Sequence, residues 1–408
     1  MRDKDLYAQL LGLRTPWGVD DVQIDRDSQK VTVTVSASIG AEWTCPRCGK
    51  VCPRYDRRKR KWRHLDTMQY TTILEAEVPR IECAEHGVVT VDVPWAEAGS
   101  GFSALFEALV IDWLQEASVK AVSDQLGLSW NAVDRIQQRA VARGLARRPA
   151  QPARQLGVDE TSFQKRHEYV TVLSDVDRGC VLAVSDDRKQ ASLERCLAGL
   201  SNEQRASVEA VSMDMWRPYI NAVQAQLPDA EIAFDRFHVV QAFNKAIDEV
   251  RRAERRALKR SGSDPLKGTR YDWLKRQEGR RSARFLDLCN SALKTARAWA
   301  IKETANQLWN YRHYAWAAKA WKKLLGWMSR SRLKPMVKLA RTLRRHLEGI
   351  ITAVIRKISN GPAEAINSGI QKVKRRAHGF RNRERFRTAI LFHLGGLDLY
   401  PDHAKLAG

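Results

Sequence analysis

Apolar and polar residues alternate near the start of the chain. Between Val22 and Ser38 the alternation has a period of two residues, which predicts a β-hairpin with its turn near Asp27 and Ser28. Another strand-like run lies at residues 70–83. We therefore expect a small β-rich domain over residues 1–98.

The apolar spacing changes to that of helices between residues 99 and 148. Helical segments are predicted at 102–115, 118–127 and 129–144. A short turn joins the last two, and Ser129 is placed to cap the third. This outline favours a helix-turn-helix, although a plain helical hairpin has the same pattern. The residues expected to face DNA are Trp130, Asn131 and Arg135.

From residue 156 onward the pattern becomes one of strands and helices in turn. Three strand-like runs come first, and a helix, a strand, a helix and a strand follow. This order is the plan of a ribonuclease H-like α/β domain with a mixed sheet. Pro149 and Pro152, in a basic stretch of small residues, mark a linker at 149–155 before it.

A long helical region interrupts this plan. Residues 239–355 are predicted to be helical throughout, very basic and rich in Trp, and we expect the Trp side chains to form the core of an inserted domain. The alternative is that one or two stack on unpaired DNA bases. These residues are Trp273, Trp299, Trp309, Trp316, Trp321 and Trp327. The expected fold class is multidomain α+β, with the catalytic α/β domain formed by residues 156–238 and 356–400.

The charge of the chain indicates a polyanionic partner. Its 408 residues include 70 Lys and Arg against 47 Asp and Glu, which gives a formal charge of +23. No apolar run approaches the roughly 18 residues of a membrane span, and the N-terminus lacks a signal-peptide core. We therefore expect a cytoplasmic, nucleoid-associated protein that binds double-stranded DNA and no membrane.

Two pairs of metal-binding residues lie in the N-terminal domain. Cys45 and Cys48 form one x-x-spaced pair, and Cys83 and His86 form the other. Each short turn can present two donors to one ion, so the pairs predict a tetrahedral Zn²⁺ site. Two other choices stay open: Cys52 and His64 are further donors nearby, and the cysteines could simply be buried structural residues.

A run of cations separates the two pairs. Charge runs of this kind usually form a solvated face, but within a zinc module of a basic protein they also suit contact with DNA phosphates. The candidates are Arg57, Arg58, Lys59 and Arg60.

Three carboxylates stand where a catalytic metal site would require them. Asp159 and Asp214 each close a short apolar run, where a strand is expected to end, and Glu364 opens a predicted helix. Such a triad suits two Mg²⁺ ions, or Mn²⁺ in their place, in a ribonuclease H-like nuclease or transposase. Asp235, after the fifth strand, is a rival ligand. His238 could orient a ligand or a phosphate, or be a satisfied structural residue.

The helix that begins near Glu364 carries several cations after it. They could hold the DNA backbone beside the cleavage site, or they could form a solvated helix face. They are Lys372, Lys374, Arg375 and Arg376.

Whole phrases of the sequence add a further indication. They are GVDETSF, HEYVTVLSD, VSMDMWRPY, AFDRFHVV and the segment from Ala363 to Asn382, together with the zinc pairs. In combination they closely resemble the DDE transposases of bacterial insertion sequences, in the ISL-three family, over nearly the whole chain. The resemblance implies catalytic roles for Asp159, Asp214 and Glu364 in Mg²⁺-dependent cutting and joining of the element's ends.

The sequence departs from the family pattern at two points. The familiar Glu-Gly-x-Asn motif appears as Glu364, Ala365, Ile366, Asn367, and His86 stands where Cys is frequent. Neither change removes a metal ligand, because Ala replaces a residue without a side chain and His binds zinc well.

The expected function is that of a transposase that binds terminal inverted repeats and acts as a homodimer, because two element ends must be brought together. A nuclease of the same fold that cuts without joining is one alternative. A DNA-binding regulator with a vestigial core is the other, and the intact carboxylate triad argues against it.

Overall fold

The computed structural model describes residues 3–164, 168–274, 283–357 and 361–402. The chain divides into two compact units. The N-terminal unit comprises residues 1–148, 376–378 and 396–408, and the second unit comprises 149–375 and 379–395. Within the described residues, none of the helices is long and apolar enough to cross a membrane.

The N-terminal unit begins with a helix and seven strands. They are α1 (Asp3–Leu10), β1 (Trp17–Asp25), β2 (Lys30–Ala37), β3 (Trp43–Thr44), β4 (Val51–Cys52), β5 (Arg54–Arg63), β6 (Thr71–Cys83) and β7 (Gly87–Thr90). The main sheet has the order β1-β2-β6-β5, with β7 also paired to β6, and β3 pairs with β4. The predicted hairpin is confirmed as β1 and β2, whose register runs from Trp17 opposite Ala37 to Asp25 opposite Lys30.

The alternation in β2 gives this sheet one buried face. Val31, Val33 and Val35 are buried, while the residues between them are partly exposed. Trp62 and Trp95 complete this core with their rings edge to face, 5.4 Å between centroids. A strand period of two thus separates the buried side chains from the solvated ones.

Three helices follow the sheet: α2 (Ala104–Glu116), α3 (Val119–Gln125) and α4 (Trp130–Arg147). Each begins at a serine whose hydroxyl accepts a backbone N–H of the first turn, and the expected cap at Ser129 is confirmed. The buried Glu107 carboxylate of α2 accepts hydrogen bonds from Arg139 of α4, at 2.5 Å, and from Ser100, at 2.7 Å. Because burial strengthens such bonds, this network fixes α4 against α2.

The C-terminal tail lies in the N-terminal unit, whereas the predicted catalytic domain extends to residue 400. Residues from Gly396 onward belong to the N-terminal unit, where Arg143 donates to the carbonyl of Leu399 and the Tyr400 hydroxyl donates to Asp112 at 2.6 Å. Gly144 allows this approach, since a Cβ there would lie 2.7 Å from the Cβ of Leu397. The tail has little regular structure, so its sequence carries no periodic pattern. The sequence therefore could not predict its contacts with Asp112 and Arg143, which lie about 250 residues or more earlier in the chain.

The second unit is built on a five-stranded sheet. Its first elements are β8 (Gln155–Gln164), β9 (Glu168–Asp175), β10 (Cys180–Asp186), α5 (Gln190–Ala198), α6 (Asn202–Ala206), β11 (Ala210–Met213), α7 (Arg217–Gln226) and β12 (Glu231–Phe234). The strand order is β10-β9-β8-β11-β12. The pairs among β8, β9 and β10 are antiparallel, and β11 is parallel to both β8 and β12.

The remaining described elements of this unit are helices. They are α8 (Arg236–Arg260), α9 (Arg270–Leu274), α10 (Ala283–Asn290), α11 (Lys294–Leu308), α12 (Tyr314–Arg330), α13 (Lys334–Arg345), α14 (Leu347–Arg356), α15 (Gly361–Arg376) and α16 (Arg383–Leu394). The predicted boundary between residues 238 and 239 falls inside the unbroken α8, so the helical region starts at the end of the sheet itself.

The helical region and the sheet share one hydrophobic core. Phe234 of β12, Phe243 of α8 and Trp273 of α9 belong to the same buried cluster. The expectation of Trp residues in the core is confirmed for Trp273, Trp309 and Trp321, whereas Trp316 is 62% exposed. The helices therefore extend the core of the second unit. They follow the last strand, β12, and so do not interrupt the order of the strands.

Candidate active site and metal centre

The four predicted zinc ligands come together in the N-terminal unit. The Sγ atoms of Cys45, Cys48 and Cys83 and a ring nitrogen of His86 all lie within 4.8 Å of one another. His86 Nδ1 is 3.7 Å from Cys45 Sγ and 3.5 Å from Cys83 Sγ. Three thiols and one imidazole are a donor set typical of a closed, tetrahedral structural zinc site.

Short turns position both pairs. In the first, the Cys45 N–H donates to the Lys50 carbonyl at 2.8 Å, and Gly49 takes a φ of 70° that most residues avoid. The second pair lies in the turn from β6 to β7, where Gly87 has a φ of 65°. There the backbone N–H of Glu85 lowers the pKa of the Cys83 thiol to about 7. The two turns arrange the donors through backbone geometry alone.

The two further donors, Cys52 and His64, are not among the four whose ligand atoms lie within 4.8 Å of one another. The Cys52 thiol donates to the Lys50 carbonyl at 3.4 Å. His64 is buried, its Nδ1 lies 2.7 Å from the Ser103 hydroxyl, and burial lowers its pKa to about 4. His64 is therefore a neutral side chain that supports the cap of α2, and it is not part of the metal cluster.

In the second unit, Asp159 lies on β8 and Asp214 directly follows the neighbouring strand β11. The last β8–β11 pair joins Gly157 to Ser212, and each carboxylate lies two residues further along its chain. Both line one small pocket, together with Asp235, His238 and Asn367. The adjacency follows from the parallel register, because residues equally far past a paired position stay side by side.

One local expectation about Asp159 is wrong. Asp214 does follow the end of β11, but Asp159 lies in the middle of β8, opposite Val172 of β9. The strand continues because its antiparallel pairing with β9 extends beyond the point where the shorter β11 ends. Asp159 is thus at the edge of the β8–β11 pairing and not at a strand end.

Helix α15 runs along β8 through three polar contacts. Asn367 Nδ2 donates to Asp159 Oδ2, and Gln371 Nε2 donates to the Thr161 hydroxyl at 3.2 Å. One turn later, Lys374 Nζ donates to the Ser162 carbonyl at 2.8 Å. Spacings of three and four residues place these side chains on one face of the helix. This face fixes the register of α15 against the strand that carries Asp159.

Glu364 lies three residues before Asn367 in the first turn of α15, so it extends the same face. Its side chain is exposed and lines a wider cleft of about 970 Å³, which Asp235, Phe237 and Trp309 also line. Within the described residues, the Cys and His quartet is the one group of three or more potential ligands whose donor atoms all lie within 4.8 Å of one another. The three carboxylates are therefore neighbours without forming a closed cluster.

Asp235 and His238 lie beside Asp214. Asp235 directly follows β12 and caps α8, with its carboxylate accepting the Phe237 N–H at 2.5 Å. The His238 ring has Nδ1 at 3.8 Å from Asp214 Oδ2 and Nε2 at 4.0 Å from Asp235 Oδ2. The imidazole thus lies between Asp214, the predicted metal ligand, and Asp235, the alternative ligand.

Sequence reasoning missed a group next to this pocket. Burial raises the pKa of Glu160, while its ion pair with Arg188, at 3.2 Å, acts in the opposite direction. Arg188 also stacks on the exposed Trp216, two residues after Asp214. The sequence did contain a signal for this group, because Glu160 directly follows Asp159 and Trp216 lies two residues after Asp214.

The predicted DNA contacts on α4 differ in exposure. Asn131 and Arg135 are exposed and one turn apart, so they form a solvent-facing row, whereas Trp130 is partly buried. This row is the part of α4 available to a groove.

The cations of β5 lie on an edge strand of the sheet. Lys59 binds Glu75 at 2.8 Å, Arg57 lies 3.9 Å from Glu77, and Arg60 stacks on Trp62. Arg58 is exposed. Charges on an edge strand also oppose pairing with other chains, so this run has a structural role beside any contact with DNA.

The four cations of α15 divide into two groups. Lys374 binds Ser162, and Arg376 donates to the carbonyl of Gln115. Lys372 and Arg375 are exposed. The first two hold protein segments together, which leaves the second two as the better candidates for DNA.

Comparison with protein families gives three matches along the chain. Residues 156–390 match a family described as transposase, and residues 91–141 match the helix-turn-helix domain of transposase family ISL3. Residues 41–86 match the zinc-finger of the transposases of IS204, IS1001, IS1096 and IS1165. The last match includes all four residues of the Cys and His cluster.

Curated relatives resemble the chain over nearly its whole length. The transposase for insertion sequence element IS1557 of Mycobacterium tuberculosis is 30% identical over 431 aligned residues, covering 97% of this chain and 96% of the relative. The transposase for insertion sequence element IS1001 of Bordetella parapertussis is 24% identical, covering 95% of this chain and 97% of the relative.

Proposed function

The chain belongs to the ISL3 (ISL-three) family of transposases and is a DNA-binding transposase, and we propose that it cuts and joins insertion-sequence ends at Asp159, Asp214 and Glu364. The observation that carries this proposal is that Asp159 and Asp214, each two residues past the last β8–β11 pair, line one pocket, where Asn367 of α15 is bonded to Asp159. Glu364 lies one turn before Asn367 on the same helix face.

The proposed catalytic domain is ribonuclease H-like, formed by residues 156–238 and 356–395 with the helices of 239–355 inserted. Three antiparallel strands followed by two parallel ones, in the order β10-β9-β8-β11-β12, support this assignment. The carboxylates then lie where the central strands meet, which is where an α/β sheet commonly places its functional residues.

Apart from His238, the polar side chains that line this pocket all offer oxygen donors, and that chemistry fits Mg²⁺. Asp159, Asp214 and Glu364 would hold two ions, with Mn²⁺ as a substitute, and the ions would supply Lewis-acid stabilisation of the attacking and leaving oxygens. Asn367 orients the Asp159 carboxylate, and His238 lies between Asp214 and Asp235. In this proposal water attacks first and the freed 3′ hydroxyl attacks second, so no side chain forms a covalent bond to DNA.

The N-terminal unit is proposed to recognise the element ends as part of a homodimer. Its zinc module is completed by one Zn²⁺ bound to Cys45, Cys48, Cys83 and His86, a donor set whose spacing supports that metal. Asn131 and Arg135 of α4 read the major groove, and Arg58 of the same unit is an exposed candidate for phosphate contact. In the second unit, Lys372 and Arg375 are exposed candidates for phosphate contact beside the cleavage site.

Amide substitutions test the catalytic assignment. Asp159→Asn, Asp214→Asn and Glu364→Gln keep the side-chain size and remove a charged ligand, so each variant should bind end DNA like the parent and yield no products. The measurement is conversion of supercoiled plasmid with element ends in Mg²⁺. Joined products support a transposase, nicks alone indicate a nuclease, and no reaction by the parent indicates a regulator.

Asp235→Asn is the matched control for this experiment. Because Asp235 caps α8 and lies beside His238, its loss should lower the cleavage rate by about 10-fold to 100-fold without abolishing it. An inactive Asp235→Asn variant beside an active Asp214→Asn variant would show that the second ligand is Asp235.

A further inference from the structure

An exposed tryptophan stands beside the proposed catalytic pocket. Trp216 follows Asp214 by two residues and is 39% exposed. Its indole Nε1 donates to the carbonyl of Arg188 at 3.2 Å, and the Arg188 guanidinium lies 5.0 Å from the ring centroid. The ring is therefore held in place by two contacts while much of its surface stays open to solvent.

Arg188 is itself fixed on three sides. Its guanidinium lies 5.0 Å from the centroid of Tyr169 as well as from that of Trp216. It also forms an ion pair with Glu160 at 3.2 Å. Cation–π contacts and an ion pair of this kind restrain long side chains, so the Arg188–Trp216 pair is a preformed platform.

The platform opens onto a pocket of about 610 Å³ that can accept a planar ligand with an anionic group. Trp216 and Pro218 line it together with the cations Lys189 and Arg217. Arg217 is exposed, and Lys189 is 80% exposed even though it lies 3.2 Å from Asp187. An aromatic surface bordered by cations is the arrangement that proteins use for a nucleobase and its phosphates.

We propose that this pocket binds one unpaired base of the DNA next to the scissile phosphate, stacked on Trp216, with the adjoining phosphate held by Lys189 and Arg217. The proposal rests on the proposed function, since Asp214 must bind near that phosphate. A base in an intact duplex cannot offer its face to an indole, so the base must leave the stack. The gain from stacking on Trp216 then offsets part of the cost of unstacking.

A fluorescent base makes this event visible without catalysis. End DNA carrying 2-aminopurine at successive positions around the cleavage site is mixed with parent, Trp216→Ala, Trp216→Phe or Tyr271→Ala protein, without added Mg²⁺. Tyr271 is a matched control, because it is 66% exposed and its ring also lies near an arginine, Arg270, at 5.7 Å. The parent should change the fluorescence at one position only, and Trp216→Ala should abolish that change while the two other variants retain most of it.

Cleavage in Mg²⁺ gives a second readout. Trp216→Ala should cut fully paired end DNA about 10-fold to 100-fold more slowly than the parent, and a mismatch at the reporting position should restore much of the rate, because the base is then already unpaired. Unchanged fluorescence at every position with the parent, or equal signals from the parent and Trp216→Ala, would overturn the proposal. An altered oligomeric state with unaltered fluorescence would assign Trp216 to a protein contact instead.

The two proposals fail separately. A parent protein that changes the fluorescence but does not cut would contradict the proposed catalysis and leave the base pocket supported. A parent protein that cuts and joins without any fluorescence change would leave the catalysis supported and exclude the base pocket.

Discussion

The zinc cluster and the carboxylate pocket differ in how far the folded chain assembles them. The four donors of the cluster lie within 4.8 Å of one another. Asp159 and Asp214 share a pocket, while Glu364 lines the adjoining cleft. Of the two proposed metal sites, the Cys and His site thus has all its donors close together, whereas the carboxylate site does not.

Their chemistry explains the difference. Thiols and imidazoles can be neutral, so short turns bring them together without repulsion, whereas three carboxylates at one point repel each other strongly. The chain places other groups beside them: the Asn367 amide on Asp159, and the His238 ring near Asp214. The comparison teaches that a structural site is closed by the backbone, while a catalytic site keeps room for its ions and its substrate.

Losing Cys48, a proposed zinc ligand, should have the largest effect. Structural zinc contributes on the order of 10 kcal/mol to the folding of small zinc modules, so Cys48→Ser should lose the metal and unfold the region around β3 and β4. Elemental analysis of the purified protein and proteolysis of the N-terminal unit measure the outcome. Asp159→Asn should leave both results unchanged, which tests whether the two sites are independent.

Cys52→Ser is the matched control, because Cys52 lies beside the cluster but is not one of its four donors. It should keep about one zinc per chain. A metal-free parent protein that resists proteolysis would contradict a structural role for zinc in this cluster.

Local features of both regions were predictable because their causes are local. The pairs at Cys45 and Cys83 and the serine caps such as Ser129 follow from spacings of a few residues. The strand order was predictable from the alternation of strands and helices. The pairs and the caps need only neighbours in the sequence to form, whereas the strand order also depends on pairing between strands that are distant in the chain, such as β8 and β11.

Other features depend on contacts that sequence spacing does not record. The extension of β8 beyond Asp159 depends on how long β9 is, and the tail at Tyr400 depends on Asp112, far away in the chain. The contact of Asn367 with Asp159 needs the register of α15 against β8. Long-range packing decides such details, which is why they had to be read from the structure.

His64 should make the N-terminal unit sensitive to acid independently of the cluster. Its pKa falls from 6.5 to about 4 on folding because the ring is buried. The unfolded chain therefore binds the proton more readily, so this contribution to stability is complete above pH 6.5 and is lost as the pH falls towards 4. A shift of this size corresponds to at most about 3 kcal/mol.

Urea unfolding of the parent and of His64→Gln between pH 7 and pH 4 measures this contribution. The free energy of unfolding of the parent should fall more steeply than that of the variant. His313→Gln, at an exposed position, should behave like the parent. Identical slopes for the parent and His64→Gln would contradict a contribution of His64 to the acid sensitivity.

Asn367 should give the smallest effect and the sharpest test of the comparison. Asn367→Ala removes the N–H that Asp159 accepts, and a hydrogen bond to a charged group contributes about 1.5–3 kcal/mol to stability, less where water can replace the donor. We expect a loss of about 1–2 kcal/mol in the second unit without Mg²⁺. The loss should shrink in Mg²⁺, because an ion at Asp159 would satisfy the carboxylate in place of the amide.

Gln371→Ala is the control for this prediction. It removes a neutral hydrogen bond to Thr161 on the same helix face, so its small effect on stability should not depend on Mg²⁺. Equal losses for Asn367→Ala with and without the ion would show that Asp159 does not bind it.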